Sequence, residues 1–259
     1  MITHRQFIDK AVGILKTDEN VIGLAIGGSW LTGDIDEYSD LDLVLVARDK
    51  IYEDKGRMLG YARKLGKLLA GFTGEHVGEP RLLVCLYDEP LLHIDIKFVT
   101  LEEFSKRVED PVVLFERENQ LSSCISGTGS EYPYPDFQWI EDRFWIWVHY
   151  ILAKIGRGEY LEAFDSFSFL RGIVLGPLIH IKNGNLPRTV RKAESAIGKE
   201  DLRKLLLTVP TYEKSGLMNS LGESVNLYRA LRSELFDSTV RLQVETERRV
   251  MEYFNEIDT

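Results

Sequence analysis

The sequence predicts an α+β protein: a mixed β-sheet with helices over residues 1–128, followed by an all-helical part over 129–259. Three observations predict this. Helical and strand patterns alternate through the first ~120 residues. The stretch SGTGSEYPYPD, ending at Asp136, concentrates Gly, Ser and Pro without apolar periodicity and marks a boundary. Beyond it almost every segment has helical spacing. A chain of 259 residues suffices for one large or two ordinary domains at roughly 100–200 residues each. A hydrophobic share of 44% with 28% charged residues excludes wholesale disorder.

Taken in order, residues 3–17 set Phe7, Ala11, Ile14 and Leu15 on one helix face. VIGLAIGG reads as a buried strand ending in glycines, and DLDLVLV, after a polar interval, as a second strand. A helix is expected from about Tyr52 to Leu69. RLLVCLY (81–87) and LLHIDIKFV (91–99) are strands separated by Glu89-Pro90, far too short a link for a parallel crossover, so they form a hairpin. Asp136 can cap a helix running to about Ile155, with Ile140, Phe144, Trp147, Val148 and Ile151 on one side. The next helix is expected from Tyr160 to Lys182, stopped by Asn183-Gly184. Shorter segments surround Pro187 and Pro210, and one long amphipathic helix is expected from Leu217 to Ile257.

Composition narrows the function classes. Two cysteines, Cys85 and Cys124, far apart and without a C-x-x-C pair, exclude a disulfide scaffold and a cysteine zinc site and fit a reducing cytoplasm. The start MITHRQFIDK lacks the apolar core of a secretory signal. No window reaches the ~18 uninterrupted apolar residues of a spanning helix, so the expectation is a soluble, cytoplasmic protein. Residues 1–130 carry 15 basic and 22 acidic side chains (net −7) and residues 131–259 carry 17 and 19 (net −2), within a total of −9. So acidic a front half opposes general nucleic-acid binding and suggests carboxylates gathered around divalent cations.

The chemistry is concentrated in Gly27-Gly28-Ser29, followed ten residues later by Asp40-Leu41-Asp42. Glycines at a strand end let a phosphate approach the backbone, where N–H groups and the serine hydroxyl donate to it. Asp40 and Asp42, two apart on a strand, project from one face while Leu41, Leu43 and Leu45 enter the core. Two crowded carboxylates repel, and a bound Mg²⁺ removes the conflict. In LLHIDIKFV, His93, Asp95 and Lys97 share one face. Asp95 is thus a third acid in mid-strand. If its strand lies beside that of Asp40 and Asp42, the three acids suit two Mg²⁺ ions about 3.5–4 Å apart for phosphoryl chemistry.

The GGS-x10-DLD pattern with a later strand aspartate resembles the DNA polymerase β-type nucleotidyltransferase superfamily over about residues 20–100. By this resemblance Gly28 and Ser29 stand at the phosphate turn, Asp40 and Asp42 at the metal pair, and Asp95 at the third carboxylate. FWIWVHYILAKIGRGEYLEAFD is more loosely similar to the carboxy-terminal domains of aminoglycoside adenylyltransferases, especially the 6-adenylyltransferase group. The resemblance implies transfer of AMP, or another NMP, from ATP or another NTP to a hydroxyl of a small, aminoglycoside-like acceptor. The helical part would close the acceptor pocket, and Lys154 would meet a nucleotide phosphate. Tyr150 stands where some relatives place a catalytic glutamate, which makes Asp95 the better candidate base.

Several features read more plainly. Gly28–Gly33 has P-loop glycine spacing, but Asp34-Ile35 replaces the needed Lys-Ser/Thr. Asp34, Asp36 and Glu37 read as a solvated loop, His93 as a partly buried neighbour of Asp95, and His149 and His180 as structural. Trp139, Trp145, Trp147 and Tyr150 read first as packing, with a stacking wall as the alternative. The rival class to an enzyme is a catalytically silent nucleotide-binding or antitoxin-like module, and the terminal helix offers a route to a homodimer as an alternative to a monomer.

Overall fold

The structure, a computed structural model, describes residues 2–258 and divides into two units between Tyr132 and Pro133. The first unit is built on six strands: β1 (Val21–Ile26), β2 (Leu41–Ala47), β3 (Lys67–Gly74), β4 (Glu79–Asp88), β5 (Leu92–Thr100) and β6 (Val112–Glu116). Their order is β3-β4-β5-β2-β1-β6. β2 and β5 run parallel, and every other neighbouring pair is antiparallel. The β4–β5 hairpin makes this possible, because it returns the chain alongside β2 in the same direction.

Period-two alternation decides what each face of the sheet meets. Leu41, Leu43 and Leu45 of β2 and Ile94, Ile96 and Phe98 of β5 all point into one core. α1 (Ile2–Leu15) and α3 (Lys55–Leu65) cover it with Phe7, Ala11, Met58 and Leu65. Full burial of each of the large side chains among these is worth about 1.5–3 kcal/mol. α3 starts at Asp54, whose carboxylate accepts the Gly56 and Arg57 N–H groups. The opposite face carries a smaller core of Ile22, Ala25, Val46, Val99, Phe104 and Leu121, supplied in part by α4 (Leu101–Phe104) and α5 (Gln120–Gly127). That core lies toward the carboxyl ends of β2 and β5, so the amino-terminal halves of the two strands, with their acids, lie outside it.

Two elements differ from expectation in this unit. The helix expected to reach Leu69 ends at Leu65, and Lys67–Gly74 forms β3 instead. β3 is an edge strand paired with β4, and its Leu69 and Phe72 are exposed, so no buried face imposes an alternating pattern on its sequence. β6, a five-residue edge strand after Pro111, was likewise not expected. Both are too short or too open to announce themselves by periodicity.

The second unit is helical: α6 (Phe137–Gly156), α7 (Tyr160–Leu170), α8 (Gly176–Lys182), α9 (Ala193–Ala196), α10 (Lys199–Leu207), α11 (Lys214–Leu235) and α12 (Val244–Asp258). Asp136 caps α6 by accepting the Trp139 N–H at 3.0 Å. The run from Tyr160 to Lys182 contains a π turn at Arg171–Leu175, just ahead of Pro177, which cannot donate to the ladder. This 23-residue run has the length to cross a bilayer and contains an 18-residue window of mean hydropathy 1.2, but half of that window is buried inside the protein. The single terminal helix expected over 217–257 is two helices. The break follows Phe236, whose ring stacks on Phe137 at 4.7 Å, and Asp237, which accepts the Thr239 N–H in a tight turn.

One buried carboxylate ties these helices together. Glu141 of α6 is 0% exposed and accepts from Trp145 Nε1, the Tyr228 hydroxyl, Arg232 Nη1 at 3.2 Å and the Gln243 N–H at 2.9 Å. Breaking such a network from one side leaves uncompensated buried charge and typically costs about 3–5 kcal/mol.

His180 of α8 is also buried, and neither ring nitrogen makes a hydrogen bond of standard geometry. Burial pushes its pKa below the usual 6.5, against a smaller upward pull from the Arg191 backbone. The unfolded chain therefore binds a proton near pH 6.5 that the folded chain refuses, and stability falls as the pH drops below that value. Urea unfolding is expected to give lower stability at pH 5.5 than at pH 7.5, with the difference reduced in His180→Leu; an unchanged difference would contradict the assignment.

Candidate active site

The site begins where β1 runs out. Gly27 extends the ladder by donating its N–H to the Asp42 carbonyl at 2.9 Å. Gly28 then turns the chain at φ 63°, ψ −137°, and α2 (Ser29–Thr32) follows. A side chain at Gly28 is excluded twice over. The backbone lies in a region that other residues avoid, and a Cβ there would stand 1.8 Å from Asp42 Oδ2. The turn is therefore pressed directly against the Asp42 carboxylate.

Register brings in the second acid. In the parallel β2–β5 ladder Asp42 is paired with Asp95, so the two carboxylates stand side by side on the same face of neighbouring strands. Asp95 retains 21% side-chain exposure, and His93 Nε2 lies 3.1 Å from Asp95 Oδ1. His93 itself is 52% exposed, more open than expected. Asp40 stands two residues before Asp42, just outside the strand. Among the described residues, no three His, Cys, Asp or Glu side chains gather closely enough to hold a metal ion unaided. The donor set nevertheless suits Mg²⁺, which takes one or two protein carboxylates and fills its octahedron with water and phosphate oxygens.

Two features of this neighbourhood were not read from the sequence. Glu109, in the loop between α4 and β6, accepts the Gly28 N–H at 2.7 Å through Oε1, and the same oxygen lies 2.6 Å from where a Cβ on Gly27 would sit. This contact spans 81 residues and has no local sequence signal. Lys97, which shares the face of Asp95, is bound to Glu79 at 2.8 Å, and Arg81 grips both oxygens of Glu79. Burial pushes the Glu79 carboxyl upward, but Arg81 and Lys97 outweigh it and hold the pKa at about 2. Glu79 thus engages both cations.

The remaining loop acids organise their own turn. Asp36 accepts from the Ser39 hydroxyl and the Tyr38 N–H, and Thr32 donates to Asp34 at 2.8 Å. In the helical unit, Lys154 is bound by Glu159 at 2.7 Å and Glu162 at 2.9 Å, and these carboxylates raise its pKa. Tyr150 also donates to Glu162. Trp145 is core, whereas Trp139 is 39% exposed, with the Arg143 guanidinium 4.3 Å from its ring centroid.

Residues 8–121 match the nucleotidyltransferase domain family. No curated protein matches the chain. Among solved structures, the chain is similar to an aminoglycoside 6-adenyltransferase from Bacillus subtilis, with 16% identity, TM-score 0.41, and coverage of 97% of this chain and 96% of that one. It is also similar to a spectinomycin adenyltransferase from Enterococcus faecialis (13% identity, TM-score 0.33, 98% and 99% covered). A third is a nucleotidyltransferase-like protein from Exiguobacterium sibiricum 255-15 (12% identity, TM-score 0.33, 87% and 74% covered).

The contact between Gly28 and Asp42 is testable without any assay of activity. In an Asp42→Ala background, Gly28→Ala is expected to cost about 1–3 kcal/mol from backbone strain. In the wild-type background it should cost at least about 0.5 kcal/mol more, because the carboxylate must also be displaced. Denaturant titration of the four proteins gives the cycle, and purely additive effects would show that the two residues do not touch.

Proposed function

Taking residues 8–121 as the nucleotidyltransferase domain that they are, we propose that the chain transfers a nucleoside monophosphate, AMP first among them, from its triphosphate to a hydroxyl of a small acceptor. The observation that supports this most strongly is the Asp42–Asp95 register pair beside the Gly28 turn. Side-by-side carboxylates on rigid strands are unfavourable unless something positive lies between them. Asp40, Asp42 and Asp95 would hold two Mg²⁺ ions. When bound, the ions neutralise the triphosphate and lower the pKa of the attacking hydroxyl.

The chain's own residues supply position and proton transfer. The Ser29 hydroxyl holds the β- and γ-phosphates, joined by the Gly28 N–H once Glu109 releases it, while the Gly27 N–H stays in the ladder with Asp42. Asp95 accepts the proton of the acceptor hydroxyl as its oxygen bonds to the α-phosphorus, and the bond to the bridging oxygen breaks to release pyrophosphate. His93, at 3.1 Å from Asp95 and open to solvent, carries that proton away. Fixing donor and acceptor in line provides much of the acceleration. Lys154 serves as a phosphate contact only if it leaves Glu159 and Glu162. The acceptor class implied by the sequence resemblance, an aminoglycoside-like antibiotic, is one arm of the test.

With α-labelled ATP and an acceptor panel, label is expected to move onto an acceptor only with a divalent cation, and chelation with EDTA should abolish transfer. Asp42→Asn and Asp95→Asn should each lower the rate by at least about 10²-fold while leaving the circular dichroism spectrum unchanged. Retained activity in both variants would overturn the assignment. ATP binding without transfer to any acceptor would favour the silent nucleotide-binding module.

A further inference from the structure

We propose that the acceptor lies over the β5–β4–β3 side of the sheet and presents an apolar or aromatic face to Phe72. The proposal rests on the transferase reading above and concerns the part of the substrate that reading leaves open.

The direction of approach follows from strand order. The phosphate turn leaves the end of β1, and the acids stand on the next two strands, β2 and β5. In-line displacement sets the incoming oxygen opposite the leaving pyrophosphate. With pyrophosphate held on the β1 side, the acceptor approaches across β4 and β3. The surface it crosses is a straight row. Asp42 pairs with Asp95, Asp95 with Val84, and Val84 with Phe72. Register partners share a face, and strands lie about 4.8 Å apart, so Phe72 stands about 10 Å beyond Asp95.

This row is apolar beyond the acids. Phe72 is 49% exposed and Leu86, the partner of His93, is 39% exposed, both on the side of the sheet that bears Asp95. The His76 ring lies 5.5 Å from that of Phe72 and gives it an aromatic flank. The carboxylate that ends this face of β4, Asp88, is already bound to Lys67 at 2.9 Å. Beyond Asp95 the row itself offers the apolar side chains of Val84, Leu86 and Phe72. A hydroxylated molecule with a ring or apolar face would bury surface on them while its hydroxyl reached Asp95.

The test compares two acceptor panels, aryl glycosides and polycationic aminocyclitols such as kanamycin A, on the full chain and on Phe72→Ala. Saturation-transfer NMR without nucleotide reads binding, and transfer from α-labelled ATP reads turnover. At least one aryl glycoside is expected to show saturation of its ring protons that is lost in Phe72→Ala. Its KM should rise about tenfold there, with kcat and the KM for ATP within about twofold. Phe72 is exposed, so the substitution leaves the core intact, and Phe72→Tyr should restore binding. Aryl binding without transfer to any acceptor would keep the subsite and reject the transferase reading. Transfer to an aminocyclitol that Phe72→Ala leaves unchanged, or no Phe72-dependent binding in either panel, would overturn the subsite.

Discussion

The site depends on one repulsion. The parallel ladder between β2 and β5 fixes Asp42 beside Asp95, and neither strand can slip to relieve the pair, because a shift of one residue would turn Leu43, Leu45, Ile94 and Ile96 out of the core. Hydrophobic burial on one face therefore enforces charge crowding on the other. Gly28 closes the third side by bringing backbone against the Asp42 carboxylate. Under the proposed function, two acids held together in this way draw in the divalent cations that accompany a triphosphate.

The surroundings sharpen this. Lys97 shares the face of Asp95, yet Glu79 engages both it and Arg81, and the Glu79 carboxyl is held at a pKa of about 2. Glu109 adds a further carboxylate at the turn, accepting the Gly28 N–H where a phosphate oxygen would otherwise sit. Under the proposed function, these carboxylates favour a nucleotide that brings divalent cations over a bare polyanion. In the helical unit charge is handled differently. Glu141 is deeply buried but fully satisfied by Arg232, Tyr228, Trp145 and the Gln243 backbone, so it specifies packing.

How much of this was legible in the sequence depends on burial. DLDLVLV and LLHIDIKFV are readable because β2 and β5 are central strands with one face in a core, which forces strict alternation and singles out Asp42 and Asp95 as mid-strand acids. β3 lacks that constraint as an edge strand, and its Leu68-Leu69-Ala70 run passes for the end of a helix. In the helical unit, the breaks at Arg171–Leu175 and after Phe236 depend on Pro177 and on a ring stack with a residue 99 positions away (236 − 137), and the second of these leaves no periodic trace. Register is likewise invisible: nothing local says that Asp42 aligns with Asp95 rather than with His93 or Lys97. Glu109 belongs to the same class, since only the folded chain brings it to Gly28.

On the proposed function, the Asp42–Asp95 pair holds divalent cations together with a triphosphate. Electron paramagnetic resonance of Mn²⁺ with α,β-methylene-ATP, which cannot be turned over, addresses this without reference to any acceptor. The free-ion signal is expected to be lost only when protein and nucleotide are both present, and Asp95→Asn should restore most of it. Mn²⁺ bound equally well by the wild type and by Asp95→Asn would show that the pair does not hold the cations.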